Sequence, residues 1–371
     1  MSMAVNLAAL SRLRDAMRMA DAQVMLVDSG ELLAWLTGYT VSETMYRACL
    51  VPLTGEPWMV LRKLDEAPCR RSSWLRDIVT YDDHQDPWEC VAGSLMARGY
   101  QQTYLGADTH SYGMTVETWH QLAERLPDVI WRPMPGISDR LRQVKFSYEL
   151  DALREAAHIA DRAFLALKEQ VKAGWRVRDV AALAARIFLS EGADTGETGP
   201  IVLSGGDSGF LHAQTHEEQL CDDDILHVEL IPKVRHYSAR LMRPFIFGGL
   251  SPARQNVATQ LIAMQDAQIA AMKPGVRACD VDAILRNAVL KAGLRAEYGN
   301  VTGYSLGLYT RTPRPSDFSH CFTPAADWIL EENMVFHMYT SAAGIAFSET
   351  VVVTEDGGVR MSRLPRAVIV V

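Results

Sequence analysis

The sequence predicts a two-domain chain, with an α/β domain over residues 1–145 and an α+β domain over 146–371. Length is the first reason, because 371 residues exceed what one ordinary hydrophobic core organises. The second is the order of helical and extended patterns. They alternate up to about residue 145, whereas beyond it long helical patterns stand apart from a set of apolar strands. Composition is the third: 48% apolar and 22% charged residues suit a globular fold.

The elements follow in chain order. The stretch from Met1 to Gln23 has apolar residues at helical spacing with Arg and Asp between them, which predicts an amphipathic surface helix. Residues 22–29 predict a strand. Residues 45–61 predict a hairpin turning at Thr54-Gly55-Glu56-Pro57. Two helix–strand pairs then cover residues 88–108 and 116–134. A long helix starts near Ser147, and a second over 177–192 is stopped by Gly192. A third ends at Pro274-Gly275, and a fourth covers 279–294. Strands are predicted at 199–206, 224–232, 238–248, 333–341 and 347–357, and their arrangement looks antiparallel.

Several function classes are disfavoured at once. Lys plus Arg is 37 and Asp plus Glu is 45, so the net charge is −8, against a nucleic-acid or anionic-membrane partner. No apolar run nears the roughly 20 residues of a membrane helix. Cys49, Cys69, Cys90, Cys221, Cys279 and Cys321 are scattered without a CxxC pair. They predict free thiols in a reducing cytoplasm rather than a disulfide framework or a zinc site.

Five segments, in order and spacing, carry a resemblance: FLHAQT around His212; DDDILHVELIPKVRHYSARLMRPFIFG around Glu229 and Arg240; GYSLGL around Tyr304; NMVFHMYTS around His337 and Tyr339; and ETVVVTEDG starting at Glu349. Together they resemble the creatinase/aminopeptidase P superfamily, whose C-terminal domain has the pita-bread fold. The first half is similar to that superfamily's N-terminal domain. The resemblance implies a site for two divalent ions held by two aspartates, a histidine and two glutamates. Here those positions hold Glu229, Arg240, Tyr304, Tyr339 and Ser348, with Glu349 adjacent. A permanent guanidinium at the second position repels a metal, and a one-residue slip restores Glu349 alone. No metal and no cofactor are therefore expected.

The pattern is most similar to the metal-free branch that includes creatinase and ectoine hydrolase. Glu229-Leu230, Arg235, Tyr237, Leu241 and Arg243 match ectoine hydrolase in residue type and spacing, as do Gly303-Tyr304-Ser305 and Asn333 to His337. The match fails after Leu308, where Arg311 and Arg314 lie on a divergent loop. The resemblance implies hydrolysis of a C–N bond at an amidine, guanidine or amide carbon of a small nitrogen-rich carboxylate. Creatine itself is disfavoured, because creatinase's catalytic glutamate falls at Tyr339.

Such chemistry needs a base near neutral pH and an acid for the leaving nitrogen. His212 follows a glycine-rich loop, Ser204 to Gly209, and is the first candidate for proton transfer; the plainer reading is a surface histidine. Glu229 shares a strand face with His227 and Ile231. It is open to two roles, polarising the substrate or attacking its carbon. His337 and Tyr339 alternate onto one face, so His337 joins the catalytic candidates. Arg240, Arg243, Tyr304, Tyr339 and Glu349 are candidates for substrate binding, with guanidinium groups suited to a carboxylate.

In the first domain, Gly38 to Arg47 resembles a creatinase loop that reaches the partner subunit's site. The resemblance therefore implies a homodimer whose N-terminal domain caps the partner's pocket, with Glu43, Tyr46 or Arg47 on the substrate. Two other readings remain open from sequence: a ligand- or peptide-binding member without activity, and a divergent Xaa-Pro peptidase.

Overall fold

The computed structural model describes residues 3–40, 44–204, 209–212, 217–310 and 320–371. The chain divides into two compact units, Met1–Arg142 and Gln143–Val371, against the expected division after residue 145. All six cysteines are free thiols. No helix among the described residues is long and apolar enough to cross a membrane.

The first unit is built on a six-stranded sheet of β1 (Val24–Val27), β2 (Ala48–Pro52), β3 (Trp58–Arg62), β4 (Asp77–Tyr81), β5 (Tyr104–Ala107) and β6 (Ile130–Pro133). Its order is β4-β3-β2-β1-β5-β6. The hairpin expected at Thr54–Pro57 joins β2 and β3, which pair antiparallel, Leu50 opposite Trp58. The helices are α1 (Met3–Met19), α2 (Gly30–Thr37), α3 (Glu66–Ser72), α4 (Pro87–Met96), α5 (Val116–Arg125) and α6 (Ile137–Leu141). The sequence reading did not predict α2. All eight of its residues are buried, so it lacks the polar face that makes a helix legible. It ends at Gly38, whose φ of 80° is the left-handed conformation that glycine adopts without a Cβ penalty.

In the second unit α7 (Ser147–Gln170), α8 (Val177–Ser190), α9 (Pro252–Ala270) and α10 (Ala278–Lys291) are the four expected helices. Glu149 takes the Phe146 N–H at 2.7 Å and so fixes the start of α7. The strands are β7 (Ile201–Leu203), β8 (Ile225–Leu230), β9 (Lys233–Val234), β10 (Tyr237–Ser238), β11 (Leu241–Ile246), β12 (Gly303–Ser305), β13 (Cys321–Phe322), β14 (Val335–Ala342), β15 (Ile345–Thr354), β16 (Gly357–Arg360) and β17 (Ile369–Val370). Among the described residues the main sheet runs β13-β12-β14-β15-β11-β8-β7, with β16 on β15 and β17 on β11. Helices segregate from an almost wholly antiparallel sheet, which is the α+β arrangement expected.

Register decides which side chains meet. Met242 of β11 lies opposite Glu229 of β8 and Ser348 of β15. Tyr339 lies opposite Ser348, and His337 opposite Thr350 and Tyr304. With strand period 2, one face therefore carries His227, Glu229, Arg240, Met242, Tyr304, His337, Tyr339, Ser348 and Thr350. The other face carries Phe336, Met338, Val351 and Val353, which pack with Ile269 of α9, Val281 of α10 and Met272 between the two helices. Helices cover that face, and the polar set lies on the opposite one.

Candidate active site

Glu229 stands at the centre of the polar face. Its strand is buried at every residue, and the carboxylate itself is 3% exposed. Gly199 makes room for it: a Cβ there would come 2.8 Å from Glu229 Cγ. Arg240 Nη1 donates to Glu229 Oε1 at 3.2 Å and to the Tyr304 hydroxyl at 3.1 Å. Thr350 locks the Arg240 backbone, accepting its N–H at 2.8 Å and donating to its carbonyl at 2.9 Å. Burial pushes the Glu229 carboxyl above its ordinary range, against the pull of Arg240 and of His212. Burial also raises both phenols, Tyr339 to about 12, so each keeps its proton as a hydrogen-bond donor.

Aromatic rings crowd this face. The His337 ring lies edge-on to Tyr304, centroids 5.0 Å apart, and stacks on Tyr339 at 5.3 Å. Asn300 Nδ2 donates to the Tyr339 hydroxyl at 3.2 Å. Phe210 packs edge-on against His227 at 4.9 Å. Phe210 belongs to the 3-10 turn Gly209–His212, so that turn lies over the Glu229 face and His212, at its end, is exposed. His227 and His337 are wholly buried, and none of their four ring nitrogens has a hydrogen-bond partner among the described residues. Each such atom costs about 1–3 kcal/mol if nothing satisfies it. Burial holds both imidazoles neutral, His227 down to about 3, with Arg240 adding to the effect at His337.

The structure brings together Glu229, Arg240, Tyr304, His337 and Tyr339, with His212 at the rim. Arg243 and Glu349, expected at the substrate, are corrected. Register places them on the helix-covered face, where both are fully buried and Arg243 Nη2 donates to Glu349 Oε1 at 2.7 Å. Arg243 also donates to the carbonyls of Met242, Ser348 and Pro365. The slip that would have put Glu349 in the site does not occur; Ser348 faces it. In the first unit the Tyr46 hydroxyl donates to Asp28 at 3.1 Å, within its own domain. Arg47 is half-buried beside it. Glu43, Arg311 and Arg314 lie outside the described residues.

Sequence reasoning gave His227 no role beyond sharing the face of Glu229. Its signal was a lone imidazole inside the apolar run ILHVELI. Thr350 gave no signal, because its part is played through the backbone of another strand.

Residues 151–355, more than half of the chain, match the model of metallopeptidase family M24, and residues 10–144 match the creatinase/prolidase N-terminal domain. The chain belongs to metallopeptidase family M24. That places it in a superfamily of hydrolases. It is 22% identical over 384 residues to the ectoine hydrolase of Halomonas elongata, covering 97% of this chain and 96% of that one. It is likewise 23% identical over 362 residues to a Xaa-Pro dipeptidase of Lactobacillus helveticus, covering 94% and 95%. The fold matches a Xaa-Pro dipeptidase from Bacillus anthracis at a TM-score of 0.85, 19% identity, and 99% and 100% coverage. This M24 member keeps the fold, but its donor set does not fit a pair of divalent ions. The positions hold a guanidinium, two protonated phenols, a serine and one carboxylate already engaged by that guanidinium. Among the described residues no three His, Cys, Asp or Glu side chains converge as a ligand set.

Proposed function

We propose that this M24 member is a metal-independent hydrolase that cleaves a C–N bond at an amidine, guanidine or amide carbon of a small nitrogen-rich carboxylate. One observation carries the reading: the Arg240 guanidinium lies between Glu229 and Tyr304, where a metal would have to sit. A cation there orients the carboxylate, and a guanidinium is the side chain suited to pair with a substrate carboxylate. Glu229, whose carboxyl burial raises above its ordinary range, takes a proton from water as the water oxygen bonds to the sp² carbon. Tyr304 keeps its proton and donates to the charge that develops on the tetrahedral intermediate. The C–N bond then breaks, and His212 delivers a proton to the departing nitrogen. In this reading the protein is a C2 homodimer, the commonest closed oligomer.

The test is metal content against turnover. Elemental analysis should find no stoichiometric divalent ion, and chelators should leave hydrolysis of ectoine-like, guanidino or N-acyl amino-acid substrates intact. Two divalent ions per chain, or chelator-sensitive turnover, refutes the reading. A second reading, a ligand-binding member without turnover, draws on the Glu229–Arg240 pair itself, since a fully engaged carboxylate is a poor base. Ligand binding with no turnover across the panel would favour it.

A further inference from the structure

Tyr339 is the phenol of the Glu229 face that the proposed chemistry leaves unused. Its hydroxyl oxygen accepts from Asn300 Nδ2 at 3.2 Å. That amide is itself oriented. Its Oδ1 accepts from Arg295 Nη1 at 2.9 Å, and its Nδ2 also donates to the Val301 carbonyl at 2.9 Å. A guanidinium only donates and a carbonyl only accepts, so the opposite placement of amide O and N would break both bonds. The backbone is held too. Arg286, paired with Asp282 at 2.6 Å, donates to the Asn300 carbonyl at 3.1 Å, and Arg295 lies over the Tyr298 ring at 4.2 Å.

The fixed amide decides where the phenol proton goes. A phenolic hydroxyl holds one hydrogen, close to the ring plane on one side or the other of the C–O bond. With the Asn300 N–H on one side, the hydrogen takes the other. Strand β14 lies between β12 and β15, and Asn300 belongs to the segment leading into β12. Away from that segment the row of side chains runs from Tyr339 through Ser348 and Met242 to Glu229. Ser348 Oγ, directly across the ladder, takes no hydrogen bond among the described residues, and Met242 has no side-chain oxygen. Nothing among the described residues accepts the Tyr339 proton. The ring lies beside Tyr304, centroids 6.0 Å apart.

We infer that Tyr339 is a second hydrogen-bond donor, beside Tyr304, to the charge that develops on the substrate as water adds, and that Asn300, oriented by Arg295, is the positioning residue that aims it. This rests on the Glu229 face being the site of hydrolysis. The phenol keeps its proton throughout: it gives a hydrogen bond and transfers nothing. A donor already aimed by its surroundings needs no reorientation when the charge appears, which is how such groups lower a barrier. Asn300 and Arg295 touch the phenol and the amide, not the substrate, so they act only through Tyr339.

Tyr339→Phe keeps the ring stacked on His337 and removes only the hydroxyl. On whichever compound of the ectoine-like, guanidino and N-acyl amino-acid panel the full-length parent hydrolyses, kcat should fall by about 10²–10³-fold with KM within about threefold. Asn300→Asp is near-isosteric and keeps a partner for Arg295, but its carboxylate accepts the phenol proton and turns it off the face. It should lose kcat nearly as far as Tyr339→Phe, and the Asn300→Asp/Tyr339→Phe double variant should be little worse than Tyr339→Phe alone. Both singles should melt close to the parent; a purely structural role would lower the melting temperature and leave kcat per folded molecule unchanged. Should Asn300→Asp not fold, Asn300→Ala, which loses the guide but accepts no proton, should lower kcat less than Tyr339→Phe does. Parent-like kcat in Tyr339→Phe, a loss that falls on KM alone, or losses that multiply in the double variant overturns this inference while the hydrolase reading stands. A parent that hydrolyses nothing overturns both. Turnover that needs a divalent ion, with the variants behaving as stated, fells the metal-independent reading and leaves the role of Tyr339 standing.

Discussion

Replacing Glu349 by glutamine removes one negative charge and almost no volume. The carboxylate is fully buried, and three guanidinium groups converge on its Oε1: Arg243 at 2.7 Å, Arg360 at 3.4 Å and Arg366 at 3.6 Å. Arg243 is itself 0% exposed. In Glu349→Gln the three cations face a neutral amide and each other. Breaking a buried pair by removing one partner costs about 3–5 kcal/mol, because the other charge stays buried and uncompensated. For a unit of this size that lowers the midpoint by about 6–20 °C. Arg243→Met should cost less, since Glu349 keeps Arg360 and Arg366. The Arg243→Met/Glu349→Leu double variant should recover much of the loss, as apolar replacements of buried pairs often do. The assay is urea unfolding followed by far-UV circular dichroism, with calorimetry for the midpoint. A loss under about 1 kcal/mol for Glu349→Gln, or a larger loss for Arg243→Met, refutes the argument. Weakened substrate binding at unchanged stability would refute it differently, by returning Glu349 to the site.

Three further outcomes are expected. His212→Ala and Glu229→Gln should each fold and lower turnover by about 10²–10⁴-fold, and the double variant should be little worse than the worse single one; parent-like turnover in both singles would remove them from the mechanism. The contribution of the two buried imidazoles to stability should fall on acidification from about pH 6.5, against the opposite contribution of Asp28 and Glu229, whose carboxyls burial raises: the folded pKa values of His227 and His337 lie below the unfolded value, so at these two rings the unfolded state binds more protons in that window. The slope is about 1.4 kcal/mol per pH unit for each imidazole, and the His227→Leu/His337→Leu variant should flatten it between pH 5 and 6.5. Light scattering at micromolar concentration should report a dimer of the 41.2 kDa chain; a monomer contradicts the two-fold assembly.

Much of this protein is legible along the chain because its signals are local. Apolar spacing marks α7 to α10, Gly192 and Pro274-Gly275 mark helix ends, and alternation puts His337 with Tyr339 and His227 with Glu229. The order of the five segments points to the family fold, and Arg240, Tyr304 and Tyr339 at ligand positions make the divergence visible without coordinates. Helix α2 escaped because burial on all sides erases the periodic pattern. What sequence leaves open is which strand faces which. The choice between Ser348 and Glu349 turns on one residue of register, and one residue sends a side chain to the opposite face of a sheet. Arg243 and Glu349 were assigned to substrate for want of that register; pairing of β8, β11, β14 and β15 sends them under the helices and gathers Glu229, Arg240, Tyr304, His337 and Tyr339 on the other face. The sequence by itself determined the fold family and the altered donor set, since both are carried by residue type and spacing. Only the tertiary structure decided that Arg240 holds Glu229 and Tyr304, and that His227 and His337 are buried without partners, because those facts depend on contacts between strands far apart in the chain.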